Sequence, residues 1–487
     1  MSEPNSFALD SPDPPPARPR GRRAALVASL LVATVALGAA ARLASRPDPT
    51  SPPPAASADG VVSIAAALDR SSVLAGGDGL VRVELVLRGR EGDGVDAPRV
   101  GSDLVVVLDR SGSMQGQPLE TALGAVRELI AGLADGDRFA LVSYASDASL
   151  DIPLEAARAA ARARWSQQLA GVSANGGTDM ASGLDRAHAV LAAAERAGRA
   201  PRVIVLSDGL ANQGDYSLAG LRSRAGRALA GEYVLSSVGI GSGFDETVMS
   251  ALADAGTGNF YYLPDPSRLA GVFADEFAAA RETVARALSV RVAPAPGVRV
   301  ASAAGYPLEA LRDGAVRFHP GDLFAGQERR IWLALHAPTG SVGELALGGL
   351  GVEFATPDGE RHRVSLETLP ALACVADDDA YYASFEADLY RRANRNESLG
   401  ALKQRVAKKL AAGRQEEAVA ELDAYRARNA AEQLRALGYV DGDEARAVAD
   451  LRDAVAAPSA AEPEVRKRLG KELLESGRDD QRAGAKY

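Results

Sequence analysis

Apolar residues along this chain fall into distinct regimes. Between residues 103 and 283, short apolar runs alternate with stretches whose apolar positions recur at helical spacing. The runs at 103–108, 138–144, 202–207, 233–240 and 259–262 are too short for free-standing helices. The first, unbroken from Leu104 to Leu108, is also too continuous for a strand with one wet face and reads as a central parallel strand buried on both sides, with the others as candidate strands beside it. Segment 148–152 reads as an antiparallel edge. Helices are expected at 118–133, with Pro118 in the first turn, and at 179–197, 218–230, 245–255 and 266–284. This alternation is the pattern of a doubly wound, Rossmann-like α/β unit.

On either side the period changes to two. In 80–88, Val81, Val83, Leu85 and Leu87 share one face, while Arg82, Glu84 and Arg88 take the other, as in a half-buried antiparallel strand. Further strands are expected at 288–292, 330–336, 351–354 and 362–366, with Pro357-Asp358-Gly359 turning the chain between the last two. Segments 61–100 and 288–372 are therefore expected to build one β-sandwich, with the α/β unit of 103–283 inserted in it or followed by it. After Asp377 the helical period returns, in Tyr381, Phe385 and Leu389, then Leu402, Val406 and Leu410, then Val419, Leu422 and Tyr425. A helical region is expected over 377–440 and a polar, helical or disordered tail over 441–487. The acidic run Asp377-Asp378-Asp379 reads as a helix cap that favours the dipole.

The amino-terminal composition adds an address. Residues 24–41 carry no charge, and their 18 residues are just enough to cross a bilayer. Arg18, Arg20, Arg22 and Arg23 precede the segment, against Arg42 and Arg46 after it. That bias predicts a single-pass anchor, with the Pro-rich residues 1–23 as a disordered cytoplasmic tail and the bulk of the chain periplasmic or extracellular. Ala39-Ala40-Ala41 resembles a cleavage site, so secretion after signal removal is the alternative. Residues 46–60 read as a Pro-rich linker. The heavy use of Ala, Arg and Gly suggests a bacterial source. A net charge of −9 argues against general nucleic-acid binding. The single cysteine, Cys374, excludes an intramolecular disulfide and reads as a small buried hydrophobe.

The candidate chemistry lies where the buried strands end. Strand 103–108 runs into Asp109, followed by Ser111 and Ser113 at alternate positions. In open α/β sheets this carboxyl end of the strands is where ligands bind. A carboxylate with two hydroxyls suits a hard divalent cation better than zinc. Gly176-Gly177 can bring the Thr178 hydroxyl close from a helix start, and Ser207-Asp208-Gly209 ends a second buried strand. Parallel strands point the same way, so Asp109, Ser111, Ser113, Thr178 and Asp208 can face one point.

Asp-x-Ser-x-Ser at 109–113, Gly-Gly-Thr at 176–178 and Ser-Asp-Gly at 207–209 together resemble the metal-ion-dependent adhesion site of von Willebrand factor type A domains. The resemblance covers roughly 103–283. It implies that Ser111, Ser113 and Thr178 offer direct oxygens and that Asp109 and Asp208 bind directly or through water. The implied ion is Mg²⁺, with Mn²⁺ or Ca²⁺ as alternatives, and its last position would be completed by an Asp or Glu of a protein partner. Arg110 would add positive potential for such a partner. The wider arrangement looks like bacterial membrane-anchored proteins with a type A domain, and more loosely like inter-α-trypsin inhibitor heavy chains and chloride-channel regulators. The expected function is a non-enzymatic, Mg²⁺-dependent adhesion module in the cell envelope, anchored in the membrane by its N-terminal helix. The alternative is an adaptor or scaffold for a membrane-associated complex, linked to an ATPase if the domain faces the cytoplasm. The chain has no His-Glu-x-x-His, no Gly-x-Ser-x-Gly elbow and no phosphate loop, so neither an enzyme nor nucleotide binding is expected.

Overall fold

The computed structural model describes residues 55–91, 101–195 and 198–482. The expected tail 1–23, the apolar segment 24–41 and residues 46–54 of the linker lie outside them. Among the described residues no helix is long and apolar enough to cross a membrane. This corrects the expected single-pass placement with the bulk of the chain outside the cytoplasm. A span needs about 20 consecutive apolar residues, and the longest described helix, Gln415–Leu437, is charged from its first turn to its last.

Strands β1 (Val62–Leu68) and β2 (Leu80–Gly89) pair antiparallel. The chain then winds the central unit: β3 (Ser102–Asp109), α1 (Gln117–Gly132), β4 (Arg138–Tyr144), β5 (Ala148–Ala156), α2 (Ala159–Ala170) and α3 (Met180–Ala192). It continues with β6 (Ala200–Ser207), α4 (Leu218–Ala230), β7 (Val234–Ile240), α5 (Glu246–Ala255), β8 (Thr257–Leu263) and α6 (Leu269–Arg281). The six strands lie in the order β8-β7-β6-β3-β4-β5, all parallel except the antiparallel edge β5. Leu104, Val106 and Leu108 of β3 pack with side chains of α1, α2 and α6, and Val105 and Val107 with those of α3, α4 and α5. Both faces are covered, which is why the strand tolerates no polar residue between Leu104 and Leu108.

Two helices end earlier than periodicity suggested. Asp179 caps α3 by accepting the Ser182 N–H, and the helix stops at Ala192. Helix α6 stops at Arg281 because the β-branched pair Thr283-Val284 already belongs to the next strand. Helix α2 was not anticipated, although Ala161, Trp165 and Leu169, its buried residues, recur every four positions.

From Thr283 the chain builds β9 (Thr283–Pro294), β10 (Val316–Phe324), β11 (Glu328–His336), β12 (Gly348–Ala355) and β13 (Arg361–Leu366). One five-stranded sheet contains β10-β9-β12-β13; another contains β1-β2-β11. The pairing of β2 with β11 runs from Leu80 opposite His336 to Arg88 opposite Glu328. Strands before and after the central unit thus share a sheet, and Val81, Val83, Leu85 and Leu87 share one core with Val290, Val292, Phe318 and Leu333.

The polar face of β2 is not wet, contrary to its alternation. Arg82 and Glu84 are buried beneath the segment around Asn394. Arg82 donates to Asp69 Oδ2 at 2.8 Å and Asn394 Oδ1 at 2.7 Å, and Glu84 accepts from Arg392 and Arg330. Charge can be buried here because each group has an opposite charge or a hydrogen-bonding partner.

The carboxyl-terminal segment is helical to residue 481: α7 (Leu399–Ala411), α8 (Gln415–Leu437), α9 (Gly442–Ala456) and α10 (Pro463–Gln481). Leu402, Val406, Leu410, Leu473 and Leu474 join the core formed by Met249, Leu252 and Phe260 on the α3–α5 side. Asp377 caps a short helix by accepting the Ala380 N–H at 2.8 Å. Trp332, the run Phe260-Tyr261-Tyr262 and Cys374 are buried.

Candidate metal centre

Strands β3 and β6 are neighbours, and both end at the same edge of the sheet. Order reverses about β3, since the chain next fills β4 on one side and later β6 on the other, and the resulting crevice is the usual ligand position. Asp109 closes β3 and is fully buried. Its Oδ1 accepts the Ser111 N–H at 2.8 Å and its Oδ2 accepts the Ser207 hydroxyl at 2.8 Å. Ser111 Oγ lies 3.2 Å from Ser113 Oγ, and Ser113 Oγ donates to Asp208 Oδ1 at 2.6 Å. Four of the five expected groups are therefore linked through hydrogen bonds across two strand ends.

Thr178 arrives on a separate loop that is fastened on both sides. Asn175 N–H donates to the Arg110 carbonyl at 2.8 Å, and the Gly176 carbonyl accepts from Gly112 N–H at 3.1 Å. On the other side Thr178 N–H donates to Asn212 Oδ1 at 2.9 Å, and the Thr178 carbonyl accepts from Asn212 N–H at 3.0 Å. The threonine is thus held between the loops that carry Asp109 and Asp208. Gly176 adopts φ +70°, and a Cβ there would fall 2.6 Å from Ser146 Oγ. That oxygen accepts the Gly177 N–H at 3.0 Å. Gly176→Ala should therefore cost about 1–2 kcal/mol from the left-handed backbone alone. Thermal unfolding in chelator measures the cost, and a change within a few tenths would contradict the strain.

Burial pushes the Asp109 carboxyl above its ordinary value, against the pull of hydrogen bonds from Ser111 and Ser207. Burial likewise raises Asp208, partly offset by Ser113. Arg110 does not relieve them. Its guanidinium donates to Ser143 Oγ at 3.1 Å and Asn175 Oδ1 at 2.8 Å, bracing the threonine loop instead of facing outward. Two carboxyls held up by desolvation, next to hydroxyls and with no nitrogen or sulfur donor, fit a hard divalent cation. Ser113 is exposed and Asp208 half-buried, while Asp109, Ser111 and Thr178 are buried, so the constellation opens to the surface on one side.

Sequence reasoning missed the supports. Ser207, one residue before Asp208, orients Asp109; Asn212 holds Thr178; and Gly243 packs on Asp208, where a Cβ would fall 2.6 Å from the Asp208 carbonyl oxygen. Ser207 was legible as the residue of a buried strand that is neither apolar nor solvent-facing. Asn212 and Gly243 carried no local signal.

Residues 103–275 match the von Willebrand factor type A domain family and form such a domain. Domains of this family mediate protein–protein interactions. The chain is 27% identical over 284 residues to the uncharacterized protein sll0103 of Synechocystis sp., covering 56% of this chain and 66% of that one. It is 26% identical over 215 residues to the uncharacterized protein YfbK of Escherichia coli (strain K12), covering 44% and 36%. The fold resembles that of a von Willebrand factor type A protein from Catenulispora acidiphila, with TM-score 0.64, 19% identity and coverage of 88% of this chain and 98% of that one. This chain thus spans a little under two thirds of the first curated relative and about a third of the second.

Proposed function

We propose that this chain is a protein-binding module whose grip depends on a divalent cation. The ion would be Mg²⁺, with Mn²⁺ or Ca²⁺ as alternatives, held by Asp109, Ser111, Ser113, Thr178 and Asp208. The observation that carries this reading is the linked run of oxygens from Asp109 through Ser111 and Ser113 to Asp208, with both carboxyls raised by burial. A bound cation supplies positive charge to one buried and one half-buried carboxylate and a coordination position for an outside oxygen.

The chain's own groups do the rest. Ser207 and the Ser111 N–H fix both oxygens of Asp109, and Asn212 fixes the backbone of Thr178. Mg²⁺ takes six oxygens at about 2.0–2.1 Å, so five chain groups leave room for a partner's Asp or Glu carboxylate on the exposed side of Ser113. Leu210 and Tyr216, 58% and 60% exposed on the segment that follows Asp208, are apolar surface open to a partner. Charge alone is screened within roughly 8–10 Å in physiological salt, so direct coordination must supply the specificity.

The test is capture on the full chain in Mg²⁺, in chelator, and with Asp109→Ala. Partners should be retained in Mg²⁺, released by chelator and absent with the variant. Identical capture under all three conditions would sink the proposal.

A further inference from the structure

We infer that α10 sets the geometry of the metal centre from behind, with Lys471 as a positioning residue acting through the loop between β7 and α5. The inference rests on the metal-binding reading and concerns how that same site is held. Residues 241–245 form this loop, and its Gly243 lies against the Asp208 backbone so closely that no side chain fits between them. Asp208 is the half-buried carboxylate of the centre, and its carbonyl lies against Gly243, so any shift of the loop is felt at its main chain.

The next residue, Phe244, is 2% exposed. Its ring lies over Gly239, where a Cβ would come within 2.3 Å of it, and packs beside Phe260 and Tyr262. On its other contacts sits Lys471 of α10, with Nζ 3.8 Å from the ring centroid. The same ammonium donates to the Phe244 carbonyl at 2.7 Å and to Glu246 Oε2 at 2.7 Å. A second tie joins the loop to the first turn of α10: Ser242 Oγ donates to Glu464 Oε2 at 2.9 Å.

Lys471 is 3% exposed. Burying an ammonium costs several kcal/mol unless it is paired and hydrogen-bonded, and apolar packing alone would dock a helix without it. Here the ammonium meets the carbonyl and aromatic face of Phe244 on the loop and the carboxylate of Glu246 at the start of α5. The contact therefore fixes where the loop stands and, through Gly243, where Asp208 stands. Groups hydrogen-bonded directly to a metal ligand typically change affinity 10–100-fold when removed, and Lys471, acting through the loop, is expected at the low end.

The experiment titrates Mn²⁺ into the full chain and follows both its dissociation constant and the electron paramagnetic resonance line shape of the bound ion. Lys471→Met keeps the apolar stem and removes the donors, and should weaken Mn²⁺ binding about 10-fold with an altered line shape. Glu464→Ala, exposed at the helix start and harmless to folding, should weaken it about threefold and decides the matter if Lys471→Met fails to fold in chelator. Asp208→Asn serves as the reference for a lost ligand. Folded variants that bind Mn²⁺ with the wild-type constant and line shape, while Asp208→Asn does not bind, overturn the positioning role and leave the metal reading intact. A wild-type chain that binds no Mn²⁺ overturns both.

Discussion

Replacing Asp109 with Asn should abolish the Mg²⁺-dependent gain in stability expected of the proposed site without unfolding the metal-free protein. The carboxyl is fully buried, and its two oxygens accept one hydrogen bond each, from Ser111 N–H and Ser207 Oγ. An amide has the same shape. Its oxygen can keep the Ser111 bond, and its NH₂ can donate to the Ser207 hydroxyl, which also accepts. Because burial already disfavours the charged carboxylate, the neutral amide carries no added desolvation cost in chelator. A ligand at one hundred times its dissociation constant that binds only the folded state contributes about 2.7 kcal/mol. Wild type should gain a stabilisation of that order in saturating Mg²⁺, and the variant close to none. Unfolding midpoints with Mg²⁺ and with chelator give the comparison. A variant with a full Mg²⁺ response would place the ion elsewhere.

Asp254→Ala should produce a large loss of stability away from the metal centre. This carboxylate, at the end of α5, accepts from Arg478 Nη1 at 3.0 Å and Arg482 Nη2 at 2.6 Å, both reaching from the end of the chain. Burial pushes it up, but Arg482 and Arg478 outweigh that and hold it at about 2. Removing it takes the carboxylate from two guanidiniums that are only 10% exposed, leaving Arg482 the Gly305 carbonyl and the Tyr306 ring, a change worth about 3 kcal/mol.

The pH dependence has a definite sign. The folded pKa is depressed below the ordinary 3.8, so this contribution is complete above that value and is lost as pH falls toward about 2. Its size by linkage is on the order of 2 kcal/mol. Amide hydrogen exchange along α10 should accelerate in the variant at neutral pH and in wild type only below pH ~4. Unchanged exchange in the variant would mean that apolar packing alone holds α10.

The reading of the metal centre rests on local pattern. Leu104 to Leu108 must be buried on both faces wherever the sheet sits, and Asp109 must then stand at its end. Gly176 was marked by the need for an unhindered backbone before Thr178. The reading of β2 holds for its antiparallel pairing and shared apolar face and fails only for its polar face. Alternation predicts which residues share a face, but cannot say what covers the second face, and here Arg392 and Asn394 supply the partners that let Glu84 and Arg82 be buried. The membrane placement rested on the composition of residues 24–41, while none of the described helices is apolar enough to span a bilayer.

By itself, then, the sequence determined the strand ends, the five oxygen-bearing side chains and the order of sheet and helix, all properties of a few consecutive residues. Tertiary structure alone decided which of those ends meet and what stands behind them. Asp109 reaches Ser207 across 98 positions, and Lys471 reaches the Phe244 carbonyl across 227. Contacts at such separations leave no periodic trace, because each is made by one side chain whose neighbours in sequence serve other purposes.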